Sequence, residues 1–217
     1  MDFTLARQNM VEGQIRTNRV TDQYLVDALE DLPREAFVPD NLKELVYIDE
    51  DLTVAEGRIL MEPMIMARLI QEAHVENTDL CLVVGAATGY EAAVIARLAG
   101  AVVAIESQED LIASSTQNLA DQGGDTVSVM AGELSAGQAD QGPYDVIFVN
   151  GAVGELSTAL VDQLAEAGRL VYVQDFAKGT GKAMLVTRNN TIVSETELFD
   201  ANIPALPEFA VKPAFNF

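Results

Sequence analysis

The sequence predicts an α/β protein: a doubly wound, mostly parallel sheet with an N-terminal helical cap and a C-terminal β-hairpin. Two observations carry that reading. From Asp79 onward, short apolar runs alternate with helical segments, an order that needs crossover connections and therefore parallel strands. Those runs are continuously apolar instead of alternating, as strands covered on both faces must be. The 217 residues suit one domain, with 1–78 as the cap and 79–217 as the α/β core.

Residues 1–35 read as helical. Asp2 or Thr4 can open a first helix, and Met10, Val11 and Ile15 recur at helical spacing before Gly13 and Asn18 weaken the run. A second helix starts at Thr21 or Asp22, whose side chains suit an N-cap. It carries Tyr24, Leu25, Ala28, Leu29 and Leu32 on one face and stops before Pro33. A short helix over 41–46 leads into a loop over 49–58. Pro63 then opens a helix, using proline's tolerance in a first turn.

The core begins with a strand over 80–84, ending in Gly85, and a helix over 90–98. A strand over 102–105 closes on Glu106, and a helix over 110–121 leads to a third strand over 126–130. A fourth strand over 144–149, a helix over 156–165 and a fifth strand over 169–173 follow. Segments 183–187 and 191–196 form the hairpin, with Asn189-Asn190 as its turn.

Composition excludes several classes. There are 34 acidic against 13 basic residues and a net charge of −21, a field that works against binding phosphate backbones, so no nucleic acid partner is expected. The acids are scattered, as on a solvated surface. No apolar stretch approaches the roughly 20 residues of a membrane span, and the N-terminus lacks a basic region followed by an apolar run. One cysteine, Cys81, forbids an internal disulfide, and the expected compartment is the cytoplasm. A lone histidine, His74, cannot build a zinc cluster, so no metal is expected.

The chemistry is carried by Gly85-Ala86-Ala87-Thr88-Gly89-Tyr90, with Glu106 roughly 20 residues further on. In such sheets ligands bind at the carboxyl ends of the strands, where the strand order reverses. Glycines let the backbone turn sharply and approach a ligand, and an acid ending the second strand can accept hydrogen bonds from both ribose hydroxyls. Three readings stay open at this loop. A dinucleotide site favours G-x-G-x-x-G, because a pyrophosphate must meet the helix N-terminus, and here the middle glycine is missing. S-adenosylmethionine has no phosphate, and the methyltransferase spacing G-x-G-x-G keeps its first and third glycines. The glycines could also simply make a tight turn. Glu133-Leu134, after the third strand, and Asn150, at the end of the fourth, fall beside the same crevice. An acid at the first can accept from an adenine amino group.

Taken together, the sequence resembles the protein-L-isoaspartate O-methyltransferase family over nearly its whole length. The resemblance rests on Met10-Val11-Glu12-Gly13-Gln14-Ile15-Arg16, Val20-Thr21-Asp22, Pro33-Arg34-Glu35-Ala36-Phe37-Val38-Pro39 and Tyr47-Ile48-Asp49. Phe37-Val38-Pro39 is the most specific of these. It implies a Rossmann-like methyltransferase that moves a methyl group from S-adenosylmethionine to the α-carboxylate of isoaspartyl residues in damaged proteins. Gly85, Ala86, Ala87, Gly89 and Tyr90 would hold the cofactor, Glu106 and Ser107 its ribose, Glu133 and Leu134 its adenine, and Asn150 the region of its methionine end. Ile59, Leu60, Met61, Glu62 and Pro63 would border the protein substrate. No catalytic acid or base is required, because a carboxylate is already ionised at neutral pH and the sulfonium is already activated. Positioning supplies the catalysis.

Three positions depart from the family. Val83 stands where an acid is usual, Ala87 where the middle glycine is, and Met61 where a serine lies near the transferring methyl. Glu62, if turned inward, would repel a substrate carboxylate unless Arg58 offset it. Two alternatives therefore stand beside the main reading: the same fold with a different methyl acceptor, and a non-catalytic homologue acting as a binding protein. Among single residues, Cys81 reads as packing, His74 as a surface residue, and Met64 and Met66, with Met61, as core or pocket lining. Phe209, Phe215 and Phe217 read as holding the C-terminal segment against the sheet.

Overall fold

The computed structural model describes residues 1–176 and 180–210. Helix α1 (Phe3–Met10) starts on Asp2, whose side chain accepts from the Leu5 N–H at 3.1 Å. A π-helical turn, Val11–Ile15, follows it and brings both of its end residues into the core. Helix α2 (Gln23–Asp31) is capped by Asp22, which accepts from the Tyr24 and Leu25 amides. Its buried face is Leu25, Val26, Ala28 and Leu29, continued by Leu32. Tyr24, expected on that face, is exposed.

The expected helix over 41–46 is only a 3-10 turn, Asp40–Leu42, followed by irregular turns. The expected loop over 49–58 contains a strand instead. Strand β1 (Leu52–Ala55) turns at Gly57 (φ +66°) into β2 (Arg58–Leu60) as an antiparallel hairpin. Both strands are too short to show a period in the sequence. Helix α3 (Pro63–Glu72) opens on Pro63 as expected.

The core then runs β3 (Leu80–Val84), α4 (Tyr90–Ala96), β4 (Ala101–Glu106), α5 (Glu109–Asp121), β5 (Val127–Ala131) and β6 (Tyr144–Val153). It finishes with α6 (Thr158–Asp162), β7 (Leu164–Gln174), β8 (Lys182–Asn189) and β9 (Ile192–Asp200). The helix expected over 156–165 is thus reduced to α6. Sheet pairing overrides it: Leu164 is already opposite Tyr144, and the Tyr144 N–H donates to Gln163 O at 2.8 Å. The hairpin turn falls one residue later than expected, at Asn190-Thr191, with Asn190 at φ +56°. Asparagine tolerates that left-handed conformation.

The strands form one sheet in the order β5-β4-β3-β6-β7-β8-β9. The first five are mutually parallel, β8 runs antiparallel to β7, and β9 runs antiparallel to β8. The order reverses between β3 and β6, so the functional crevice is expected at their carboxyl ends. Side chains divide by parity between two apolar layers. Cys81, Val83, Val102, Ala104, Val146 and Phe148 face α3, α4 and the cap, whereas Leu82, Val84, Ile105, Ile147 and Val149 face the other side. Phe209 belongs to that second layer; Phe215 and Phe217 lie outside the described residues.

Phe37 ties the cap to the core. It is fully buried and meets the Tyr90 ring edge-on, 5.3 Å between centroids. Replacing Phe37 with Ala is expected to cost about 3–5 kcal/mol in urea denaturation. A loss below about 1 kcal/mol, within the scatter of ordinary surface changes, would show that the cap is not held by this contact.

Candidate active site

The β3–α4 turn has the strained backbone that its glycines allow. Gly85 lies at φ +79° and Gly89 at φ +98°, and Ala87 between them adopts φ +47° despite its side chain. The Gly85 and Ala86 amides both donate to Ile105 O at 3.0 Å, which pins the turn against β4. Glu106 closes β4 and turns its carboxylate under the same loop, where Oε2 accepts from the Ala87 N–H at 3.0 Å. Oε1 accepts from the Ser107 and Gln108 amides at 2.7 and 3.1 Å. The sequence-expected pairing of a glycine turn with Glu106 is therefore physically assembled.

A third partner was not foreseen. Arg58, the first residue of β2, lies across Glu106 with both side chains almost wholly buried, at 1% and 0% exposure. Its Nε donates to both carboxylate oxygens at 3.0 Å, and Nη2 donates to Oε1 at 2.9 Å. The far side of the guanidinium meets Glu208, with Nη2 to Oε1 at 2.6 Å and Nη1 to Oε2 at 3.2 Å. Ser107 Oγ accepts from Arg58 and donates to Glu208. Burial opposes the charge on Arg58, but hydrogen bonds to the two carboxylates outweigh it and hold the guanidinium pKa above its ordinary value. Burial likewise pushes Glu208 up, yet the hydrogen bond from Arg58 prevails and its pKa is lowered. No local sequence signal marks Arg58, because its partners are remote along the chain.

The residues expected near the methionine end form a second buried cluster. Asn150 Nδ2 donates to Gly85 O at 3.1 Å and to Glu91 Oε2 at 3.2 Å. The Met61 N–H donates to Glu91 Oε1 at 3.3 Å, and Arg34 Nη2 donates to Met61 O. Arg34 also stacks on Tyr90, 4.8 Å from the ring centroid. Glu91 and Arg34 were not among the sequence candidates; a glutamate in the apolar α4 face was the available signal. Burial raises the Glu91 pKa from its ordinary 4.5 to about 7.

On the expected substrate side, Ile59, Leu60, Met61 and Pro63 are buried and only Glu62 is partly exposed. The offset of Glu62 by Arg58 does not occur, since Arg58 is committed to Glu106 and Glu208. Burial, then repulsion from Asp51, Asp49 and Glu50, pushes Glu62 up to about 7. Leu134 is buried beside the crevice, whereas Glu133 is exposed and accepts from the Ser135 hydroxyl. Ser107 is exposed at the rim. Cys81 is buried and His74 exposed. Among the described residues, no group of three or more His, Cys, Asp or Glu side chains is placed to hold a metal.

The seven-strand order, with its reversal beside the glycine turn and two further strands after the parallel five, matches the Rossmann-like methyltransferase fold. A solved protein-L-isoaspartate O-methyltransferase superposes with a TM-score of 0.81 at 23% identity, over 92% of this chain and 65% of that one. A putative protein-L-isoaspartate O-methyltransferase from Plasmodium falciparum, solved with S-adenosyl-L-homocysteine, gives 0.79 at 19% identity, over 93% and 98%. The family model for protein-L-isoaspartate(D-aspartate) O-methyltransferase matches residues 5–201. Relatives of that name are 36% identical in Methanoculleus marisnigri, over 76% of this chain and 75% of theirs, and 38% identical in Koribacter versatilis, over 78% and 76%. The chain belongs to the protein-L-isoaspartate O-methyltransferase family, a family of enzymes.

In the conformation described, protein groups meet both Glu106 and the glycine turn. Both Glu106 oxygens accept from Arg58 and from three backbone amides. Leu206 covers the glycine turn, lying 3.5 Å from where a Cβ on Gly85 would be.

Two outcomes follow. Arg58→Met strands Glu106 in the interior and is expected to cost about 3–5 kcal/mol of stability, read by urea denaturation; a cost under about 1 kcal/mol would mean that the three amides suffice. For Glu91, the folded pKa of about 7 exceeds the ordinary 4.5, so the folded state holds the proton more tightly. Its contribution is favourable below pH 4.5 and is lost as pH rises to about 7. Glu91→Gln is expected to flatten stability against pH in that window, leaving the share due to Glu62. An unchanged slope would contradict it.

Proposed function

We propose that the protein is an S-adenosylmethionine-dependent methyltransferase that esterifies the α-carboxylate of L-isoaspartyl residues in damaged proteins, as a step of cytoplasmic protein repair. The observation that carries the reading is the retained switch-point constellation, Gly85 and Gly89 at positive φ with Glu106 turned beneath them, in a chain of this family. The cofactor would supply an activated methyl group. Gly85, Ala86, Ala87, Gly89, Tyr90, Glu106, Ser107, Leu134 and Asn150 would border it, with Glu133 at the adenine rim. Ile59 to Pro63 would shape the acceptor side. A net charge of −21 supports a protein acceptor over nucleic acid, and no described helix is long and apolar enough to cross a membrane.

The chain's own residues define what the acceptor meets. Met61, buried and with its backbone clamped by Arg34 and Glu91, would put an apolar side chain in the wall where the family has a hydroxyl. Asp49, Asp51 and Glu62 surround the approach with negative charge, and burial raises the pKa of all three. Both features disfavour a carboxylate acceptor at high pH and leave positioning to the walls of the site. The second reading, a non-catalytic binding role, is favoured by the filled crevice; methyl transfer to any acceptor removes it.

The test is transfer of labelled methyl from S-adenosylmethionine to an isoaspartyl peptide and to its aspartyl counterpart. A base-labile ester on the first alone is expected, and equal labelling of both contradicts the substrate assignment. Met61→Ser restores a hydrogen-bond donor to a charged group, worth about 1.5–3 kcal/mol. It is expected to raise kcat/KM for the isoaspartyl peptide by about tenfold. A rate unchanged or lowered at full folding argues against Met61 as the acceptor-side residue.

A further inference from the structure

We propose that Glu91 is a cofactor-binding residue, whose carboxylate pairs with the ammonium group at the methionine end of S-adenosylmethionine. The inference rests on the cofactor reading above and adds to it a partner for one charged group of the ligand.

Near the end of β3, Val83 stands fully buried where the family usually has an acid. It faces the layer of α3, α4 and the cap, and α4 brings a carboxylate into that layer. Glu91, in the first turn of α4, is 0% exposed and lies in a run with buried Ala92, Val94 and Ile95. Its carboxylate stays close to the strand end: Asn150 Nδ2 donates to Glu91 Oε2 at 3.2 Å and to Gly85 O at 3.1 Å. The negative charge missing from β3 is thus available from α4, one amide group away from the first residue after the strand.

The cluster has acceptors to spare and too little positive charge. The Met61 N–H donates to Glu91 Oε1 at 3.3 Å, so each carboxylate oxygen meets one neutral donor at the long end of the range. Both oxygens therefore accept, as in an ionised carboxylate, which has about four acceptor sites. Asn150 Oδ1, on the amide that bridges Glu91 and Gly85, is buried without a hydrogen-bond partner, where such atoms ordinarily find one. The charged groups acting on Glu91 are Arg34, from the 3-10 turn after α2, and Asp51, just before β1. Arg34 donates instead to Val46 O and Met61 O. Among the described residues Glu91 has no ion-pair partner. Tyr90, beside it on α4, is kept neutral by burial, which raises its pKa. Burial accordingly outweighs Arg34 and raises the Glu91 pKa to about 7.

A buried carboxylate with no counter-charge is costly until a cation reaches it. An alkylammonium group carries three N–H donors, no acceptor and the missing charge. Because the Met61 amide shares this carboxylate, one side chain would fasten the cofactor's amino-acid arm to the segment expected on the acceptor side. A carboxamide at position 91 keeps the size but carries no charge and has one acceptor oxygen in place of two.

The experiment measures by calorimetry how two ligands bind to the full chain and to Glu91→Gln. One is S-adenosylhomocysteine; the other is its analogue with hydrogen in place of the α-amino group. The variant is expected to weaken S-adenosylhomocysteine at least about tenfold and the analogue less than about twofold. Weakening that is the same for both ligands, including none, overturns the ammonium pairing and leaves Glu91 as packing. A second measurement needs no variant. At about pH 6 the pairing must expel the carboxyl proton, so the parent chain is expected to release roughly one proton per S-adenosylhomocysteine and none per analogue. Binding heats in buffers of different ionisation enthalpy read that release. Equal release with both ligands overturns the pairing even if Glu91→Gln fails to fold. Binding of neither ligand by the parent chain, still unfolding cooperatively, overturns the cofactor reading and the pairing with it.

Discussion

Arg58 lies between Glu106 and Glu208 with almost no access to water, and the state of the crevice depends on that arrangement. A buried guanidinium has a large desolvation cost, which two carboxylates in hydrogen-bonding geometry can offset. Because Arg58 begins β2, Glu106 ends β4 and Glu208 follows Leu206, the cluster joins three remote parts of the chain. It fastens the cap-side hairpin and the C-terminal segment to the same strand end. Removing Arg58 leaves two carboxylates without their counter-charge, whereas removing Glu208 leaves the Arg58–Glu106 pair in place.

The family fold is retained around this cluster. The sheet order, the positive-φ glycines and the acid after β4 are all in place. What differs is which atoms satisfy them. Glu106 could accept from hydroxyls, but a guanidinium and three amides supply its hydrogen bonds. The bare backbone at Gly85 and Gly151 could face a ligand, but Leu206 packs there. Ala87 takes a left-handed conformation that glycine would adopt at less cost, held by its own amide's bond to Glu106. The family's sheet and glycine turn thus persist with the protein's own groups packed against them.

Most of the α/β core was legible in the sequence because its strands are buried on both faces and read as unbroken apolar runs. Pro63 and Asp22 marked helix starts through local chemistry that a sequence states directly. The β1–β2 hairpin was not legible, since three or four residues cannot display an alternating period. The helix over 156–165 was misjudged because parallel pairing to β6 begins at Leu164 and overrides a helical pattern. In the site, Glu106 and the glycines could be read from position in the βαβ unit. Arg58, Glu208 and Leu206 could not, because their roles arise from contacts across most of the chain's length. Phe209 was recognised as packing against the sheet, but a hydrophobic residue carries no indication of which part of a sheet it covers.

The most direct test is a crystal structure of the full chain grown with saturating S-adenosylhomocysteine. The account predicts the nucleoside ribose on Glu106 and Arg58 turned away from that carboxylate. A crystal with no nucleoside at Glu106 and Arg58 still paired to it would contradict it.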